Sequence, residues 1–206
     1  MNFEIKNRKS PFNDFLNIAS SLLNENVLLI NENYYRLTSI EFYYFDDYNH
    51  PDIYSHKHSM QKTTGQWYFH GSGLDITFGS DDVYGGILVR GIQSLKEKKY
   101  INWPLMCVQE LFSNLGSVDN KESLRFCIMP HEIHPIENQT IHYARRVGLN
   151  QTMDKSEKGM FFNGYYRFFI NPKETQKDKG AIAIDFLAQG RSEAEINELF
   201  GYKHFK

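Results

Sequence analysis

Few of the chain's residues have a type and a setting that could do chemistry. Glu41 stands in the run Ile40-Glu41-Phe42-Tyr43-Tyr44. A carboxylate among rings is costly to bury unless it is paired or put to use. Put to use, it would be a general base whose pKa an apolar wall raises. Strands alternate faces, so Glu41 could equally lie on the solvent side of an edge strand. Arg90 stands in a second apolar run, Ile87-Leu88-Val89-Arg90-Gly91-Ile92. A cation there needs an anionic partner. That partner is either part of a structural ion pair or, across a sheet, Glu41 itself.

Histidines gather at His50, His56, His58 and His70, with Asp46, Asp47 and Asp52 among them. The mixture could bind a metal, but its spacing fits no zinc template such as His-Glu-x-x-His. Surface histidines in a polar loop are the alternative. His131 and His134, beside Pro130 and Pro135, read as a turn. The glycines between residues 71 and 86 fit hairpin turns better than a phosphate loop. No Gly-Lys-Ser/Thr ending is present, and the run does not open a helix.

These residues need elements to position them. Residues 11–24 predict a helix, with Pro11 in its first turn and Phe12, Phe15, Leu16, Ala19, Leu22 and Leu23 at helical spacing. Residues 27–30 and 34–45, joined by a turn at 31–33, predict a hairpin rich in β-branched and aromatic residues. The polar stretch 46–64 has no period and reads as a long loop of the kind that often carries function. Three strands follow at 66–71, 74–79 and 85–92. Helices are predicted near 103–115 and 192–200, and strands at 124–129, 164–170 and 181–187. Residues 173–180 read as a solvated loop. The pattern predicts one α/β (α+β) domain over residues 1–206, a curved, mostly antiparallel sheet with flanking helices.

Composition narrows the function classes. The chain is long enough to bury a core without staples. Many of its 13 Tyr and 16 Phe must pack inside, but a surplus of flat rings could also line a pocket for a flat ligand. A net charge of −2 argues against a dedicated nucleic-acid binder with a broad basic face, though local patches matter more than the sum. Cys107 and Cys127 lie among apolar residues and read as buried free thiols. The N-terminus has no apolar h-region, and no run of about 18 apolar residues exists. A cytoplasmic protein without a membrane span is the expectation.

Taken in order, several pieces resemble the alkyladenine (3-methyladenine) DNA glycosylases. They are Ile40-Glu41-Phe42-Tyr43, Asp52-Ile53-Tyr54-Ser55-His56 and Ile76-Thr77-Phe78-Gly79. Ile87-Leu88-Val89-Arg90, Arg146-Val147-Gly148 and Tyr166-Arg167-Phe168-Phe169 complete the series. The order holds over roughly residues 11 to 170. The segment after Gly79, Ser80-Asp81-Asp82-Val83-Tyr84, departs from the family's aromatic pattern.

The resemblance implies a monofunctional DNA glycosylase. Glu41 would activate a water, and His56 and Arg90 would hold that water against the sugar. Tyr43 would stack on the extruded base, Phe78 would enter the duplex, and Arg146 would bind substrate. The partner would be double-stranded DNA and the protein a monomer, with no metal and no cofactor. Residues 142–180 hold eight Lys and Arg against four Asp and Glu, a candidate backbone-contacting region or a solvated loop. Two other readings stand beside this one. The acidic tip at Asp81-Asp82 could suit a free nucleoside or another N-glycoside, or the fold could serve as a binding module without catalysis.

Overall fold

Helix α1 (Phe12–Ser20) runs on into a π turn, Ser21–Glu25, and buries Phe15, Ile18, Ala19, Leu22 and Leu23. This is the helical spacing read from the sequence. The computed structural model describes residues 1–119, 123–133, 135–174 and 178–203. Ten strands are found among them, and every pairing is antiparallel.

Strands β1 (Asn26–Ile30) and β2 (Asn33–Asp46) form the first hairpin, and β3 (His50–Pro51) folds back on the end of β2. β4 (Trp67–His70) and β5 (Gly73–Thr77) form the second hairpin. β6 (Tyr84–Ser94) joins β5 to β2, and β7 (Tyr100–Asn102) pairs with β6. β8 (Phe126–Pro130) extends the sheet beyond β1. β9 (His142–Ala144) and β10 (Arg167–Phe169) attach to β2. The main path is β4-β5-β6-β2-β1-β8, a curled antiparallel sheet. Helix α2 (Pro104–Phe112) packs on β5 and β6, while α3 (Lys179–Ala188) and α4 (Glu193–Phe200) lie at the C-terminal end. The α+β expectation holds. No helix among the described residues is long and apolar enough to cross a membrane.

The alternation of β2 sorts its side chains. Ile40, Phe42 and Tyr44 enter the main core, where Phe15 stacks on Phe42 with ring centroids 4.4 Å apart. Glu41 and Tyr43 take the other face. Each buried Phe or Leu in this core contributes roughly 1.5–3 kcal/mol relative to exposure. A second, smaller cluster holds Ala144, Phe169, Ile182, Ala183, Phe186, Ile196 and Phe200.

Three expectations are corrected here. Residues 181–187 are helix α3, not a strand. Ile182, Ala183 and Phe186 are buried while Ile184 and Leu187 face outward, which is a helical period rather than alternation. Cys107 is a buried free thiol, as read, but Cys127 is exposed because β8 pairs only with β1 at the sheet's edge. Phe78 is 4% exposed and packs against Phe15, Phe42 and Tyr44. It is a core residue and cannot enter a duplex. His131 begins a short 3-10 turn; its companion His134 lies outside the described residues.

Candidate functional site

Register sets out the site as a row across one face of the sheet. Glu41 of β2 lies opposite Leu88 of β6, Leu88 opposite Asp75 of β5, and Asp75 opposite Tyr68 of β4. On the other side Glu41 lies opposite Arg167 of β10. Directly paired residues point to the same face. Two carboxylates therefore share this face, two strands apart, or about 10 Å at the usual inter-strand spacing.

Arg90 reaches the row through an irregularity. Ser39 pairs with Gly91 and Ile40 with Val89, so Arg90 is an extra residue in β6; Thr38 is the extra residue in β2. Such bulges re-aim a side chain. Gly91 is required there, since a Cβ would approach Thr38 Oγ1 to 2.7 Å.

The Glu41 carboxylate is fully buried and fully engaged. Its Oε2 accepts from the Tyr43 hydroxyl at 2.9 Å and from Arg90 at 3.3 Å, and its Oε1 accepts from the Val147 N–H at 3.2 Å. The Glu41–Arg90 pair across the sheet is the one the sequence pointed to. Burial, reinforced by the Glu41 charge, pushes the Tyr43 phenol well above its ordinary value, so it donates at neutral pH. Arg90 also approaches Asp178 at 3.5 Å, and Asp178 lies equally far from Arg167. Burial and the neighbouring Arg90 pull Arg167 down to about 10. The buried Arg90 Nε–H has no hydrogen-bond partner among the described residues.

Above this floor lies a pocket of about 250 Å³ lined by Tyr43, Tyr54, His56, Asp75, Leu88 and Arg90, among others. Val147, Gly148, Gln61, His70 and Pro104 also line it. The three groups that hold Glu41 all line the pocket, while Glu41 itself is covered by them. The volume is below that of sites for drug-sized ligands and suits one flat heterocycle. His56 sits edge-on to His70, ring centroids 4.5 Å apart. Burial and the adjacent His70 lower its pKa, which keeps it neutral.

A buried ion pair lies against Tyr43. Arg146 grips Asp52 with two bonds of 2.6 and 3.2 Å, and both side chains are fully buried. Arg146 also donates to the carbonyls of Phe42 and Phe161, and its guanidinium lies 4.7 Å from the Tyr43 ring centroid. Burial works against its charge, but Asp52 outweighs burial and holds the group above its ordinary value. Arg146 is thus a support beneath the pocket wall, not a substrate contact, because no part of its side chain is exposed. Arg167 is likewise buried and engaged, with Ser39 and Asp178, while the partly exposed Arg145 is paired with Asp185. The basic stretch 142–180 therefore offers Lys155, Lys158 and Lys173 to solvent, together with the partly exposed Arg145, while Arg146 and Arg167 are buried.

The structure brings Tyr43 and Arg90 of the expected set onto Glu41, places His56 in the same pocket but beside His70 on the Asp75 side, and leaves Phe78 and Arg146 outside the lining. Sequence reasoning missed Asp75 and Gln61 as members. The signal for Asp75 was present, since it stands in the apolar run Leu74-Asp75-Ile76 as Glu41 does in its own.

No family model and no solved structure matches the chain. Among curated proteins it is similar to an uncharacterized protein, L759, of Acanthamoeba polyphaga mimivirus. The two are 27% identical over 206 residues, covering 83% of this chain and 91% of the relative.

Proposed function

We propose that the protein is a monofunctional N-glycosylase that releases a modified purine base from a nucleotide turned out of a DNA duplex. The observation that carries the reading is the buried Glu41 carboxylate, held by Tyr43, Arg90 and Val147 directly beneath a base-sized, ring-lined pocket. Its resemblance in residue order to the alkyladenine DNA glycosylases supports the same assignment.

The chemistry asks for these groups. An extruded base packs against Tyr43 and Tyr54, each stacking contact contributing on the order of 1–3 kcal/mol. Water adds to C1′ as the C1′–N bond breaks, and the bond's electron pair leaves with the base. Glu41 takes the water's proton and stabilises the oxocarbenium-like centre with its charge. For this the Tyr43 hydroxyl must turn aside, because Glu41 is closed off from the pocket by its three donors. Arg90 would hold the water through its free Nε–H, while His56, edge-on to His70, belongs to the Asp75 side of the pocket. Phe78 cannot fill the space the nucleotide leaves. The exposed Trp103 and Leu105, on either side of the pocket residue Pro104, would be the apolar candidates for that.

Incubation with duplexes bearing 3-methyladenine, 7-methylguanine, ethenoadenine or hypoxanthine tests the reading. Base release without strand cleavage is expected; no release from any of them rejects it. The buried Phe78 and the exposed Asp81 favour a second reading, hydrolysis of a free nucleoside. Turnover of free nucleosides, with no DNA affinity that falls steeply with salt, would select it.

A further inference from the structure

The Asp75 carboxylate is 2% exposed, yet it lines the pocket from the side opposite Glu41, across Leu88. It is held from behind. His70 Nε2 lies 3.0 Å from its Oδ1, and the Gln61 amide donates to its Oδ2 at 3.2 Å. The Ser72 N–H donates to His70 Nδ1, which leaves the Nε2–H to point at Asp75. Gln61 and His70 line the same pocket. Gly86 makes the room, since a Cβ there would collide with both the Asp75 carboxylate and the Gln61 amide. Each oxygen therefore has one donor and one further lone pair. Two converging donors fix the plane of the group and hold it as an acceptor.

We propose that Asp75 sets the pocket's specificity by accepting two hydrogen bonds from a purine edge that presents neighbouring N–H donors, as guanine's N1–H and 2-amino group do. This rests on the reading of the pocket as a base site. A carboxylate accepts such a pair side by side, and these charge-assisted bonds are the strong ones. A purine that lacks the second donor leaves one Asp75 oxygen short of a partner in a buried place, which is costly. A base carrying positive charge, as a 7-alkylguanine does in its nucleotide, gains further from the anion. The edge is read at Asp75 while the bond to the sugar breaks at Glu41, on the far side of Leu88. One residue selects and the other reacts.

The test is equilibrium binding of two free bases, 7-methylguanine and 7-methylhypoxanthine, which differ only in the 2-amino group. The wild-type protein, Asp75→Asn and Asp75→Ser are compared. A hydrogen bond to a charged group corresponds to about 10-fold or more in affinity, so the wild type should prefer 7-methylguanine by at least ~10-fold. Both variants should bring the ratio close to one. Equal binding by the wild type, binding of neither base, or a preference retained in the variants overturns the proposal. The wild-type comparison stands even if a variant fails to fold. Release of 7-methylguanine from duplex DNA is measured alongside. Release with no preference between the bases overturns the role of Asp75 and leaves the glycosylase reading intact. An Asp75-dependent preference with no release does the reverse.

Discussion

Replacing Glu41 by Gln separates chemistry from architecture, and its two costs can be worked from the contacts. The glutamine oxygen can keep the bond from the Val147 N–H. Its amide nitrogen then faces the Tyr43 hydroxyl and Arg90, which the carboxylate met at 2.9 and 3.3 Å. Tyr43 can rotate to accept, since a hydroxyl both donates and accepts. Arg90 has no acceptor to offer. It keeps Asp178 at 3.5 Å and its Nε–H already lacks a partner. Breaking a buried pair by removing one member costs about 3–5 kcal/mol, and the remaining Asp178 contact puts this case near the lower figure, ~3 kcal/mol. For a chain of this length that is a fall in Tm of about 6–12 °C. The protein should still fold at 25 °C. There, base release should drop by ~10⁴-fold, combining about 10² each for base catalysis and for charge stabilisation. Denaturant unfolding and single-turnover release measure the two separately. Adding Arg90→Gln to Glu41→Gln removes the stranded cation, and should recover part of the stability and none of the activity. A folded Glu41→Gln protein that releases base at near wild-type rate would refute the catalytic role. An unchanged unfolding midpoint would refute the pair.

Other expectations follow from the same contacts. Asp52→Asn leaves Arg146 charged and fully buried without its partner, a loss of about 3–5 kcal/mol readable in urea; a loss under ~1 kcal/mol would contradict the buried pair. Phe78→Ala should cost about 3–5 kcal/mol as a core truncation, while the folded variant keeps wild-type DNA affinity. A folded variant that specifically loses DNA binding would restore Phe78 as a duplex contact. His142, buried and next to Arg191, is pulled down from 6.5 to about 4 by burial first and Arg191 second. Its folded pKa is depressed, so the unfolded chain binds more protons between these values. The stability held by its neutral form is complete above 6.5 and is lost as pH falls towards 4, about 3 kcal/mol in all. His142→Gln should therefore flatten the dependence of the urea midpoint between pH 7 and 4.5, and an unaltered slope would show that other groups carry it.

Much of the fold was legible because period and burial agree along β2, β6 and α1. Phe15, Leu22, Ile40 and Phe42 announce their faces by spacing alone. Residues 181–187 misled because Ala-Ile-Ala-Ile alternates like a strand, and only the burial of Phe186 on the same face as Ile182 reveals the helix. Glu41 and Arg90 were legible for one reason: a charge inside an apolar run must find its opposite. Asp75 obeys the same rule, but it sits between glycine turns whose hairpin signal dominates that stretch. Arg146 and Phe78 were placed by motif order, which carries no information on depth. Asp52 fills the Arg146 fork, and Phe15 and Tyr44 cover Phe78. Those partners lie far along the chain, so long-range packing decides what local spacing cannot.

Helices α3 and α4 close over a small apolar cluster of their own, apart from the main core. Elements with so few buried contacts open more cheaply than a central sheet. Asp178, at the start of α3, is the anion that Arg90 and Arg167 share. Each excursion of these helices therefore withdraws a negative charge from two cations at the floor of the pocket. Linkage is reciprocal. An anion or acceptor that engages Arg90 from the pocket competes with Asp178 and loosens α3, and any contact that clamps α3 changes how Arg90 holds Glu41. Amide protection in the C-terminal helices should thus report on the occupancy of a pocket they do not line.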